Sequence, residues 1–197
     1  MPAGLSLALS LSLVWVDVHG AAAPIRAEAM AETAAILGAA GLDVEWRVSD
    51  GGERAPQADE IQVVLLDSPP GTLGPDVMGS APPTARGPRA VWVFLSGVRA
   101  TLGFDPGGSR ALRPAEIESL GRATGRVIVH EIVHVTAPDR PHSEAGLMAP
   151  RLGRAVLVQP RLQLETALRD VLHTAARRTA SASKRGGLQA VLGERER

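Results

Sequence analysis

Two near-continuous apolar runs, EIQVVLLDS at 60–68 and RAVWVFLSGV at 89–98, constrain what this chain can fold into more than any other feature. A strand with one wet face alternates apolar and polar residues, whereas these leave almost no polar side for solvent. They read as strands of a sheet covered on both faces, so the covering helices must come from elsewhere in the chain. IRAEAMAETAAILGAA at 25–40 supplies one: Ile25, Ala29, Ile36 and Ala40 fall near one helical face, and Gly41 stops it. LDVEWRVSD at 42–50 then alternates as a strand. Ahead of the helix, LSLALSLSLVWV at 5–16 alternates Leu and Ser and continues into β-branched residues and Trp15, which suits a first strand. A strand, a helix and a strand in succession imply a right-handed crossover and a mainly parallel sheet.

The same opening stretch is apolar enough for the core of a secretory leader, with the small residues GAAA behind it, but no Lys or Arg precedes it. Residues 1–22 are therefore read as first strand or signal peptide, with the strand preferred; secreted, periplasmic and cytoplasmic locations stay open. The run is too short for a membrane span. Residues 69–88 are rich in Pro and Gly, with DVMGSA (76–81) a short strand candidate inside them. After a loop containing DPGG, Pro114 suits a helix start; the helix runs to Thr136, where Ala137-Pro138 ends it. A last helix follows Pro160, with Leu164, Leu168, Val171, Leu172 and Ala175 as its stripe. The expectation is an α/β (α+β) domain over residues 1–178, with about five mostly parallel strands and three helices, and a flexible tail at 179–197.

Composition narrows the chemistry. Net charge is zero over 197 residues, which points away from nucleic acid and from anionic membranes as partners. No cysteine is present, so any transition metal must be held by His and carboxylates. The residues fix no oligomeric state, and a monomer is expected.

Against that background stands VIVHEIVHVTAPDRPHSEAGLMAP, residues 127–150, which holds three of the five histidines. His130 and His134 are four apart in the expected long helix, so they lie one above the other and both imidazoles can reach one metal ion. Glu131, beside the first ligand, can take a proton from a metal-activated water. A third ligand is still needed, and Asp139, His142, Glu144 and Glu165 are the downstream candidates.

This segment resembles the metzincin clan of zinc metallopeptidases, whose signature is HExxHxxGxxH followed by a Met-containing turn. The likeness is to a group of uncharacterised bacterial metzincin-like proteins in which the third His comes two positions later and HSxxGxM follows. HEIVHVTAPDRPHSEAGLM matches that variant. The resemblance spans about residues 9–178 and is strongest over 124–148. It implies a zinc metalloendopeptidase binding one Zn2+ per chain through His130, His134 and His142. Glu131 would be the catalytic base, Gly146 and Met148 the Met-turn, and a peptide or protein the substrate. The chain departs from the main pattern in three ways: Ala137-Pro138 replaces the turning Gly, Arg140 stands where the third His would be, and no Tyr exists to serve as ligand or donor. Arg140 offers no lone pair to a cation, while His142 has the reach and the ligand type.

Rival readings attach to the same residues. A zinc-binding domain that recognises peptides or only stabilises itself would close the metal with four protein ligands instead of leaving a position open. A plain interaction domain would hold no metal. A thermolysin-like third ligand would need Glu-xxx-Asp, and Asp170 comes one residue too late after Glu165. His19 and His173 are expected to be structural or exposed, and Trp15, Trp46 and Trp92 to be core. DPGGSR lacks the Lys and the preceding strand of a phosphate loop.

Overall fold

The computed structural model describes residues 9–49, 55–57, 59–82, 89–108, 110–162, 164–166, 168–174 and 176–177. The segment 179–197, expected as a tail, lies outside them. Five strands form one sheet: β1 (Leu9–Asp17), β2 (Leu42–Val48), β3 (Glu60–Leu66), β4 (Gly79–Ser80) and β5 (Arg89–Phe94), in the spatial order β2-β1-β3-β5-β4. β1, β2, β3 and β5 pair in parallel, and β4 lies antiparallel to β5 at one edge.

The helices are α1 (Arg26–Ala39), α2 (Leu95–Leu102), α3 (Pro114–Thr136), α4 (Arg154–Val158) and α5, described over residues 168–174 and 176–177. The alternation of the strands decides where the helices sit. Trp15, Val63 and Val91 form one row across β1, β3 and β5, and all three are fully buried, as are Leu13, Ile61, Leu65 and Val93 around them. α3 packs on β5 and α1, and α1 on β2. α1 and α3 pack tightly where Gly121 and Gly125 have no side chain: a β-carbon on Gly121 would run into Glu28 Cβ, and one on Gly125 into the Ala29 carbonyl.

The expected order of elements is present, with corrections. The run 89–98 is not one strand. Its ladder with β3 ends at Leu66↔Phe94, and the chain turns into α2, with Ser96 N–H donating to the Asp67 carbonyl. Leu95, Val98 and Leu102 repeat at helical spacing and are buried, but a short apolar run does not distinguish a buried strand from a buried helix. α4 was also not expected, so the described residues hold five helices and not three. One face of β3 is fully buried, whereas Gln62, Val64 and Leu66 on the other are only half-buried. The long helix begins at Pro114 and ends at Thr136 as the sequence implies. Its start is held by Glu116, whose carboxylate accepts from the Arg113 backbone N–H and from the Arg110 guanidinium. Among the described residues no helix is long and apolar enough to cross a membrane.

Candidate metal centre

α3 is buried on all sides through its middle, from Ala123 to Val133, because α1, α2, α4 and β5 surround it. Its last two turns emerge at a cleft of about 1080 Å³, between Val77, Met78 and Gly79 on the sheet side and Ala149, Pro150, Arg151 and Leu152 on the other. His130, Glu131 and His134 reach this cleft from the helix. The helix stops directly after them: Ala137 N–H still bonds the Val133 carbonyl, but Ala137 itself leaves the helical conformation at φ −141° and ψ 69°, and Pro138 offers no N–H. Arg140 N–H then bonds the Ala137 carbonyl in a turn, and the chain comes back with His142.

The return brings three imidazoles together. His134 Nε2 lies 3.0 Å from His130 Nε2 and 3.1 Å from His142 Nε2. Nitrogens sharing a tetrahedral zinc at about 2.05 Å stand roughly 3.3 Å apart, so the spacing needs only a slight opening. Among the described residues these three form the one group of His and acidic side chains converging closely enough for a metal ion. Neutral imidazoles suit zinc and other nitrogen-preferring metals. Asp139, Glu144 and Glu165 are exposed and outside the group. A closed structural site needs a fourth protein ligand, and the described residues bring none to the cluster.

Each nitrogen is set up by its surroundings. His130 Nδ1 lies 2.7 Å from the Leu147 carbonyl oxygen. That contact makes Nδ1 the protonated donor and leaves the Nε2 lone pair facing the other rings. Burial lowers the His130 pKa to about 4, with the charges of His134 and His142 pushing the same way against the Leu147 hydrogen bond. His134 is lowered by burial and then by His142. These two rings are therefore neutral near pH 7 and need not lose a proton to accept a cation.

Glu131 points to the sheet side. It is almost fully buried, and burial alone raises its pKa to about 8. A β-carbon on Gly79 would lie 2.6 Å from Glu131 Oε1, so the carboxyl group rests against the bare α-carbon of β4. Met148 is buried under the loop that carries His142; its carbonyl accepts from the Ser143 N–H at 2.8 Å, and Gly146 makes the turn at φ +78°. The remaining histidines lie elsewhere. His19 is exposed and pairs with Asp67 at 3.1 Å, and His173 Nε2–H donates to the Ala40 carbonyl at the end of α1. Trp15 is core and packs edge-on to Trp46, while Trp46 and Trp92 are half-buried. Sequence reasoning missed the Leu147 carbonyl and the Gly79 contact, since a backbone acceptor or an absent side chain leaves no residue-type signal, and the burial of Arg126, whose partners are distant along the chain.

No protein-family model matches the sequence, and no curated protein matches it. One solved structure does match: archaemetzincin from Methanopyrus kandleri, 12% identical, covering 88% of this chain and 99% of that one, with a TM-score of 0.52. The fold is the archaemetzincin fold. At 12% identity the likeness concerns the path of the chain and leaves the chemistry to be read from this chain's own residues.

Proposed function

We propose that the protein is a zinc-dependent endopeptidase, with His130, His134 and His142 as ligands of one zinc ion and Glu131 as catalytic base. The observation that carries this reading is the convergence of three imidazole nitrogens at the mouth of a cleft, with a buried carboxyl group beside them. A zinc ion there would polarise the scissile carbonyl and acidify a water molecule. Glu131, which the charge of a bound zinc would return to its carboxylate form, would take the proton from that water and pass it to the departing amine. Gly146 and Met148 would form the Met-turn, packing beneath the ligands without ligating.

Substrate would lie extended along the sheet edge. β4 is the edge strand among the described residues, and Met78, Gly79, Ala81 and Pro82 line the cleft, so a peptide could be added there as a further strand. The non-catalytic zinc-binding alternative fits less well, because the described residues offer three ligands and not the four that would close such a site. The test is elemental analysis of the purified full chain together with hydrolysis of a peptide library, with and without chelator. About one zinc per chain and chelator-sensitive cleavage are expected; stoichiometric zinc with no cleavage of any peptide would favour the alternative.

A further inference from the structure

Arg126 lies one helical turn before His130 on the same face of α3, and its side chain is fully buried. A guanidinium carries five donors and stays charged, so burial demands partners. Three are present. Nε donates to Glu32 Oε1 on α1 at 2.7 Å, one terminal nitrogen donates to the Val156 carbonyl, and the other to the Gln159 carbonyl at 2.7 Å.

Both carbonyls belong to the end of α4, and the sequence explains why they are free. In a continuing helix the Val156 carbonyl would accept from residue 160, which is Pro160 and has no N–H. Gln159, preceding that proline, is extended at ψ 143°, and its carbonyl leaves the helix direction. Arg126 therefore caps α4 across space.

The segment capped in this way begins at the metal centre. Leu147 gives its carbonyl to His130, residues 149–152 form one wall of the cleft, and α4 closes the segment. α3 thus grips one stretch of chain at two points a turn apart: His130 at Leu147, and Arg126 at Val156 and Gln159. We propose that Arg126 is a positioning residue for the metal centre, holding the far end of the 147–159 segment so that the Leu147 carbonyl stays in line with His130 Nδ1. The inference rests on the metal-centre reading above. It separates two roles of one side chain, the ion pair to Glu32 that joins α1 to α3 and the carbonyl grips that fix the segment.

Two substitutions separate them. Arg126→Lys keeps a cation opposite Glu32 but cannot span a carboxylate and two carbonyls, since an ammonium lacks the planar fork. Glu32→Gln weakens the ion pair and leaves both carbonyl grips. The metal-stripped full chain is titrated with Co2+ alone, following visible absorption, with far-UV circular dichroism to establish folding. Wild type must bind about one Co2+ first; failure there counts against the metal centre itself, before any variant is measured. With wild type bound, Arg126→Lys is expected to lose about tenfold in Co2+ affinity with altered visible bands, as for loss of an outer partner of a ligand. Glu32→Gln is expected to stay within about twofold of wild type by the same reasoning. Unchanged affinity and spectrum in folded Arg126→Lys would overturn the proposal. So would a loss of about tenfold in Glu32→Gln, a result that counts against the proposal even where Arg126→Lys does not fold.

Discussion

Gly79 on β4 and Glu131 on α3 touch where the sheet edge meets the helix: the acid's Oε1 fills the place that a β-carbon on the glycine would take, at 2.6 Å. The contact fixes the distance between the strand that would carry substrate and the group that would take the proton. Gly79→Ala must push the carboxyl group or the strand aside by a large fraction of an ångström. Because Gly79 has ordinary negative φ, the backbone itself accepts alanine. Zinc binding should survive, and kcat on a cleaved peptide should fall by about 10²-fold, the cost of misplacing a reacting group by about 1 Å. Steady-state kinetics beside a zinc titration checks this; activity at the wild-type level would show that the contact does not position the acid.

Glu131→Gln keeps the shape of the side chain and removes its ability to accept a proton. The three imidazoles are untouched, so metal content should remain near one per chain. Peptide hydrolysis should drop by about 10²- to 10⁴-fold. A variant that still cleaves at an undiminished rate would remove Glu131 from the chemistry.

The third ligand is tested by three alanine substitutions. His142 Nε2 stands 3.1 Å from His134 Nε2, whereas Asp139 and Glu144 are exposed and outside the cluster. His142→Ala should weaken zinc affinity by orders of magnitude, and Asp139→Ala and Glu144→Ala should leave it nearly unchanged. Competition titration with a chromophoric chelator measures all three, and the reverse order would place the site in a two-His, one-carboxylate class.

The chelator-stripped protein should show a particular dependence of stability on pH. Glu131 moves from an ordinary value near 4.5 to about 8 on folding, so the native state binds the extra proton between those values and loses stability as pH rises through them. His130 moves the opposite way, from 6.5 to about 4, so stability rises with pH across that window, and His134 acts in the same direction. The effects oppose below pH 6.5, and Glu131 acts alone between about 6.5 and 8. Stability of the stripped protein should therefore decline there, by at most about 1.4 kcal/mol per pH unit. Denaturant melts across that range check this, and in Glu131→Gln the decline should disappear.

The sequence by itself determined what depends on local chain properties. Apolar runs, helical stripes, Gly41 and Pro114 marked β1 to β3, α1 and both ends of α3, because periodicity and backbone restriction act over a few residues. The ligand candidates were legible for the same reason: His130 and His134 share a face through helix geometry alone, and His142 was the downstream imidazole within reach. The boundary between β5 and α2 was not legible, since Phe94 and Leu95 are equally apolar and only the end of the β3 ladder separates them. Nor could the sequence show that the Leu147 carbonyl orients His130, that Gly79 lies against Glu131, or that Arg126 caps α4 in place of the N–H that Pro160 lacks. Those are contacts between groups distant along the chain, several of them backbone atoms common to every residue. Only the packing of α3 between the sheet and the 147–159 segment selects which of them meet.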